Sequence, residues 1–223
     1  FPKLSRLTAE HQEDQFRDTI RQTVHSSLFF VLPMAAGMMT LARPMVSFLY
    51  GGGAFDAFSV DITSQALVWV SLGMVGYGLQ NILSRAYFAQ QNGRTPLIAG
   101  GISILANIVG CMLLTEPLGV AGLAISSSIS STLYALLLII PLQRQGGGIL
   151  DAGFGRDGAK MLLSTVGMAA VVLAARFGLE SVLPQGKLGE LVLLGICALL
   201  GVAVYFLLTT LTGLDEANMV WNM

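Results

Sequence analysis

The sequence predicts an all-α membrane protein, a polytopic bundle of six transmembrane helices. Charged residues make up 11% of the 223 residues, the apolar fraction is 54% and the mean hydropathy is +0.71. A soluble globular chain carries about a quarter charged residues. The apolar residues also fall in continuous charge-free runs, near the length of about 20 residues with which a helix crosses a bilayer. Such runs disfavour a transmembrane barrel, whose strands alternate apolar and polar residues.

Several function classes are excluded by composition. The formal net charge is −1 and the pI is about 6.1, so no basic field exists to attract nucleic acid. Cys111 and Cys197 lie far apart in apolar runs, which suggests neither a disulfide framework nor a zinc site. The motifs of serine hydrolases, zinc proteases, P-loop enzymes and dinucleotide-binding enzymes are missing. We therefore expect no enzyme, no cofactor and no metal site.

The charge-free runs define six spans. Four runs have full membrane length, and two shorter ones reach it if Arg43, Lys160 and Arg176 snorkel toward the headgroups. The expected helices are approximately 28–50, 64–90, 96–115, 118–142, 158–179 and 189–212. The chain thus divides into a cytoplasmic amphipathic linker helix (1–27), four spans (28–145) and two further spans (146–223).

Lysine and arginine placement predicts the orientation. If the first span starts in the cytoplasm, nine of the twelve basic residues lie inside, and only Arg43, Arg176 and Lys187 lie outside. Cytoplasmic loops carry an excess of these residues. Both termini are therefore expected in the cytoplasm, with the chain crossing the membrane several times.

The linker carries a short apolar stripe. Phe16, Ile20 and Val24 recur at i, i+4 and i+8 with charged residues between them. This pattern is typical of a weakly amphipathic helix, either at the membrane interface or in solvent. His11 and His25 have no ligand-spaced partners, so both are interpreted as solvent or interface residues.

Polar residues inside the spans are the candidate cavity residues. Asn107 lies in the middle of the third span, and the fourth span carries serines at 126–128 and 130–131. The structural interpretation is close helix packing through small residues. The functional one is a polar cavity wall or a weak cation site on Asn107 and Ser127. Such a cation site would lack a carboxylate, and no unpaired acid lies within a span, which argues against a buried proton relay.

Several stretches resemble the MurJ/MviN family of lipid II flippases, within the multidrug/oligosaccharidyl-lipid/polysaccharide exporter superfamily. They are FPKLSRL (1–7), LPMAAGM (32–38), LARPMVSFLYGGGAFDAFSV (41–60), LSRAYFAQQNGRTP (83–96) and PLGVAGLAISSSISS (117–131). The stretch 83–96 is the most specific, since it is similar to the family pattern SRxFYAxxNxxTP. Its matching positions are Ser84, Arg85, Tyr87, Phe88, Ala89, Asn92, Thr95 and Pro96.

We interpret this motif as a cytoplasmic hinge or gate between two spans. Asn92 begins a turn, and Thr95 with Pro96 starts the next helix as N-cap and first-turn proline. Arg85 is expected either to cap carbonyls and close a gate, or to anchor at anionic headgroups.

The resemblance implies a fourteen-helix fold in two lobes, of which this chain would be a C-terminal fragment holding the trailing lobe. The family moves lipid II, an undecaprenyl-diphosphate-linked muropeptide, from the inner to the outer leaflet of the bacterial plasma membrane by alternating access, for peptidoglycan synthesis and cell shape. Partners implied are lipid II, membrane lipids and cell-wall synthesis proteins, with no nucleic acid. Coupling to the membrane potential or a monovalent cation is left open. The last two helices are expected to form a groove for the lipid tail.

Two alternatives are kept. The chain could belong to a related exporter of other lipid-linked oligosaccharides, or to a drug/cation antiporter of the same superfamily. It could also be a non-transporting membrane scaffold. Residues beyond this chain would discriminate, because an arginine-lined cavity suits a diphosphate lipid and carboxylates suit cation-coupled export.

Overall fold

The computed structural model describes residues 2–10, 12–144, 152–182 and 186–213. These residues form the helices α1 (Pro2–Ala9), α2 (Glu13–Tyr50), α3 (Ala57–Ala89), α4 (Arg94–Leu118), α5 (Val120–Arg144), α6 (Ala152–Val182) and α7 (Lys187–Leu211). Helices α2 to α7 are long and apolar enough to cross a membrane. This confirms the predicted all-α bundle of six spans.

Helix α2 unites two parts that the sequence analysis separated. It begins at Glu13 and runs to Tyr50, so the predicted linker boundary at residue 28 is replaced by a continuous helix. No glycine or proline lies between residue 13 and residue 32, and nothing else there ends a helix. The 38 residues of α2 extend over about 57 Å, roughly twice the hydrocarbon core of about 30 Å.

The apolar stripe of α2 faces protein, so neither the interfacial nor the solvated interpretation describes it. Phe16, Ile20 and Val24 are at most 4% exposed. They belong to one buried cluster with Tyr87 of α3 and Leu138 of α5. A stripe of this kind needs an apolar partner, and here the neighbouring helices supply it.

His25 also departs from expectation. It is 8% exposed, and its ring meets the ring of Phe154 edge-on at 4.9 Å between centroids. The contact joins α2 to the start of α6. His11, with which it was grouped, lies outside the described residues.

The helices pack as two groups that share α2. Helix α5 packs against both α3 and α4, and α2 packs against α3. Helices α6 and α7 pack against each other and against α2. A second buried cluster fills the space between α2, α6 and α7; its members include Phe29, Leu41, Met161, Met168, Leu193, Cys197 and Tyr205. The α6–α7 pair therefore meets the rest of the bundle mainly through α2.

Polar contacts fix the end of the bundle where α2 meets α3. Asp56 caps α3 by accepting the Ser59 N–H at 2.8 Å. Arg43 near the end of α2 forms an ion pair with Asp61 of α3 at 3.1 Å. Between them Gly53 adopts a φ of +61°, a conformation that glycine reaches without steric cost.

Candidate functional site: an apolar groove beside α2

A groove of about 340 Å³ opens between α2, α6 and α7. Among the described residues its lining contains no charged side chain. The lining residues are Phe29, Phe30, Pro33, Met34, Gly37, Met38, Leu41 and Met45 of α2, Met168 and Val172 of α6, and Cys197, Ala198, Gly201, Val202, Tyr205 and Phe206 of α7. Unbranched methionines adapt to irregular apolar shapes. A surface of this kind suits a flexible hydrocarbon chain and offers nothing to a charged headgroup.

Two glycines on opposite walls shape the groove. A β-carbon at Gly37 of α2 would meet nothing within 4 Å, so the groove is open at this position. A β-carbon at Gly201 of α7 would lie 3.2 Å from a Val172 methyl carbon. Gly201 therefore lets α7 approach α6 closely, while Gly37 leaves space on the side of α2.

Hydroxyl groups of α5 donate to backbone carbonyls of both neighbouring helices. On the α3 side, Ser128 Oγ donates to the Trp69 carbonyl at 2.5 Å. On the α4 side, Ser130 Oγ donates to the Ser103 carbonyl at 2.7 Å and Ser126 Oγ to the Asn107 carbonyl at 2.8 Å. Interhelical hydrogen bonds of this kind stabilise membrane bundles. The serine run therefore holds α3, α5 and α4 together.

The structure pairs Asn107 with a different serine from the one expected. Asn107 Nδ2 lies 3.5 Å from Ser126 Oγ, and Cys111 Sγ lies 3.7 Å from Asn107 Oδ1. Ser127, one residue further along α5, takes no part in this contact. A helix turns about 100° per residue, so neighbouring positions face different directions. The geometry supports a packing role for Asn107.

The predicted hinge motif forms a packed corner between α3 and α4. Tyr87 is fully buried, and its hydroxyl donates to the Leu138 carbonyl of α5 at 2.8 Å. Ser84 Oγ and the hydroxyl of Tyr134 are 3.0 Å apart. Both residues of the motif are thus bound to α5, which makes this end of α3 part of a continuous core.

Thr95 is not the N-cap of α4, because that position is held by Gly93. Asn92 Oδ1 accepts both the Thr95 N–H and the Thr95 hydroxyl at 3.3 Å. Helix α4 begins at Arg94, so Pro96 lies in its first turn as expected and needs no backbone donor there. Arg85 is exposed at the same end, without an ion-pair partner in the described part of the chain.

Sequence reasoning missed the residues of the groove, although the resemblance implied that a groove exists. Their signal is a spacing of four residues on two helices. On α2 it runs through Phe29, Pro33, Gly37, Leu41 and Met45, and on α7 through Cys197, Gly201 and Tyr205. Such spacing places each set on one helix face. The residue types alone gave no signal, because every span is apolar.

The fold and the groove define a multi-pass membrane protein with an apolar lateral site. The family model described as "Lipid II flippase MurJ" matches residues 1–208, and the chain belongs to this family. It is 29% identical to the "Probable lipid II flippase MurJ" of Thermotoga maritima over 94% of this chain and 41% of that protein. It is 34% identical to the Haemophilus influenzae protein of the same description over 70% of this chain and 31% of that protein.

A solved structure agrees with the fold. The chain matches "Lipid II flippase MurJ, inward closed conformation" with a TM-score of 0.76 and 26% identity, over 94% of this chain and 41% of that one. The match extends over the α6–α7 pair as well as over α2 to α5. The chain therefore spans between about a third and two fifths of the length of these relatives.

Proposed function

We propose that this chain is part of a flippase that moves lipid II from the inner to the outer leaflet by alternating access. The observation that carries the proposal is the family match over residues 1–208, together with an uncharged groove on the α6–α7 side of the bundle. The relatives are described as lipid II flippases. The polyprenyl tail of lipid II is the part of the substrate whose chemistry fits this groove.

The groove has the properties that a lipid tail requires. Each buried CH₂ group contributes about 0.8 kcal/mol when it leaves water, but in a bilayer that gain is already made. Binding then depends on close van der Waals contact with a fixed surface. The methionines of α2 and the glycines of α2 and α7 provide such a surface, which runs from Phe29 to Met45 on α2 and from Cys197 to Phe206 on α7. The diphosphate headgroup would bind to cationic groups elsewhere in the full-length protein.

The proposed orientation places the α3–α4 corner in the cytoplasm. Arg85 and Arg94 are both exposed there, in keeping with the excess of basic residues on cytoplasmic ends. The groove would then run from this side toward the outer leaflet beside α2. A thiol-accessibility map with a single cysteine at residue 91 tests the placement: labelling only after permeabilisation supports it, and labelling of intact cells contradicts it.

The function is tested by replacement in cells depleted of their own flippase. The full-length protein that contains this chain is expressed, and outer-leaflet lipid II is measured by its cleavage with an external hydrolase. Restored growth together with restored cleavage supports the proposal. Full membrane insertion without outer-leaflet lipid II contradicts it.

A second candidate follows from the groove itself. Since its lining recognises hydrocarbon and not sugar or peptide, it would accept any polyprenyl-linked glycan. An exporter of another lipid-linked oligosaccharide is therefore the second candidate function. A drug/cation antiporter is supported less, because the described lining of the groove contains no charged group to bind a cation. The same cells, assayed for export of a different polyprenyl-linked glycan, separate these functions.

A further inference from the structure

Helix α2 contains two prolines deep inside a membrane-length helix. Pro33 and Pro44 lie in its interior, whereas the prolines of α4 and α5 lie in first or last turns. A proline has no N–H, so the carbonyl four residues earlier loses its helical partner. The two carbonyls are those of Phe29 and Thr40. In hydrocarbon no water replaces the lost donor, and an unbound carbonyl is costly.

Tyr205 of α7 binds the first of these carbonyls. Its hydroxyl donates to the Phe29 oxygen at 2.8 Å, and the two rings pack with centroids 5.3 Å apart. Tyr205 is 2% exposed and Phe29 is fully buried. The bond therefore lies between two side chains that are buried within the protein.

Arg176 of α6 binds the second. Its Nη1 donates to the Thr40 oxygen at 2.9 Å, and its Nε donates to Glu180 Oε1 at 2.7 Å. The side chain is 17% exposed, so protein groups enclose most of it. Glu180 supplies the opposite charge beside the guanidinium.

We propose that Tyr205 and Arg176 are positioning residues that bind the carbonyls freed by Pro33 and Pro44, hold α2 against α7 and α6, and thereby set the shape of the groove. Pro33, Gly37 and Leu41 line the groove on α2, and Tyr205 lines it from the opposite wall. Loss of either bond should therefore alter the distance between α2 and the α6–α7 pair. Only the consequence for transport rests on the proposed function.

A double-mutant cycle tests the first bond in the purified full-length protein. Tyr205→Phe removes the hydroxyl and keeps the ring. In the parent it should lower the folded-to-unfolded ratio about three- to fifteen-fold, the range of interhelical hydrogen bonds. In a Pro33→Ala background the new backbone N–H binds the Phe29 carbonyl, so the same change should cost less than about twofold. An equal loss in both backgrounds overturns the proposal for Tyr205.

The second bond is tested in the same way with Arg176→Met and Pro44→Ala. The matched control is Glu180→Gln, which removes the ion pair but leaves the carbonyl bond. The proposal expects Arg176→Met to be suppressed by Pro44→Ala and Glu180→Gln to be unaffected by it. If Pro44→Ala suppresses neither change, Arg176 acts through Glu180 alone and its assignment fails.

The groove is measured directly with spin labels at Met34 and Val202, which line opposite walls and are each 58% exposed. Tyr205→Phe should broaden or shift the distance distribution between the labels, while Tyr77→Phe, an exposed tyrosine of α3, should leave it unchanged. An unchanged distribution in Tyr205→Phe contradicts the proposal. None of these measurements needs lipid II. A failure of the proposed transport function can therefore be told apart from a failure of the proposed roles of Tyr205 and Arg176.

Discussion

Gly76 of α3 lies so close to Thr132 of α5 that a β-carbon on Gly76 would be 2.7 Å from the Thr132 nitrogen. Neither atom could move aside, because the β-carbon is fixed to the backbone of α3 and the nitrogen belongs to the backbone of α5. The contact therefore depends on the hydrogen atom that glycine carries in place of a side chain. Gly73, one turn earlier, meets Ser128 in the same way at 2.9 Å from its α-carbon. Small residues thus set the distance between α3 and α5.

Gly76→Ala should destabilise the bundle. The added methyl group forces α3 and α5 apart and weakens the hydrogen bonds of Ser128 and Ser131 to α3; overpacking typically costs about 1–3 kcal/mol. The matched control is Gly78→Ala, where the nearest atoms would lie at 3.6 Å. Unfolding of the purified protein in detergent measures both changes. Equal stability of the two variants would show that the close approach is not required.

Ser126→Ala should cost about 1 kcal/mol, since it removes the hydroxyl bound to the Asn107 carbonyl. Ser127→Ala, its neighbour on α5, should change stability by a few tenths of a kcal/mol at most. The comparison decides between the observed pair and the pair expected from sequence. A larger effect at Ser127 on stability, or a loss of transport there with stability intact, would restore the interpretation of a polar site on Asn107 and Ser127.

The cap of α3 should weaken in acid. The Ser59 backbone N–H, together with the Ser59 hydroxyl, lowers the pKa of Asp56 below its usual value of 3.8. A carboxyl with a lowered pKa stabilises the fold above the pKa of its unfolded form, and this contribution disappears as the pH falls through the folded pKa. Amide exchange of residues 57–60, corrected for intrinsic rates, should therefore accelerate below about pH 4.

Asp56→Asn serves as the control for this pH dependence, because asparagine also caps a helix but does not titrate. The variant should lose the acid-dependent step and keep most of the protection at neutral pH. If its exchange rises with acid as in the parent, the titrating group is not Asp56.

The class of fold could be predicted because hydropathy and length determine it. Six charge-free runs become α2 to α7, and continuous apolar composition leaves few alternatives to a helical bundle. The start of α2 could not be predicted in this way. Its polar first turns give no hydropathy signal. The burial of Phe16, Ile20 and Val24 depends on Tyr87 and Leu138, which are distant in sequence.

The candidate site was predictable only in part. The resemblance pointed to a groove beside the last two helices, and the motif at 83–96 marked a real corner of the fold. The partner of Asn107 depended on the rotation of α5, which a run of serines leaves undetermined. The roles of Arg176 and Tyr205 depend on carbonyls freed by Pro33 and Pro44 on another helix. Tyr205 lies in an apolar run more than a hundred positions from Pro33, and no local sequence pattern connects the two residues.

The central claim is that the groove beside α2 takes part in moving the lipid. Gly37→Leu places a side chain in the groove, and its β-carbon would have no other atom within 4 Å. Gly101→Leu places a side chain on the exposed side of α4, away from the groove, and its β-carbon is equally free of neighbours. Both exchanges remove a glycine from a helix, so their backbone effects match.

The decisive measurement is the rate at which lipid II reaches the outer leaflet in flippase-depleted cells that express the full-length parent, Gly37→Leu or Gly101→Leu at equal membrane levels. The parent and Gly101→Leu should sustain the rate, and Gly37→Leu should lower it at least several-fold. Equal rates for the two variants, or no outward movement with the parent itself, would contradict the account.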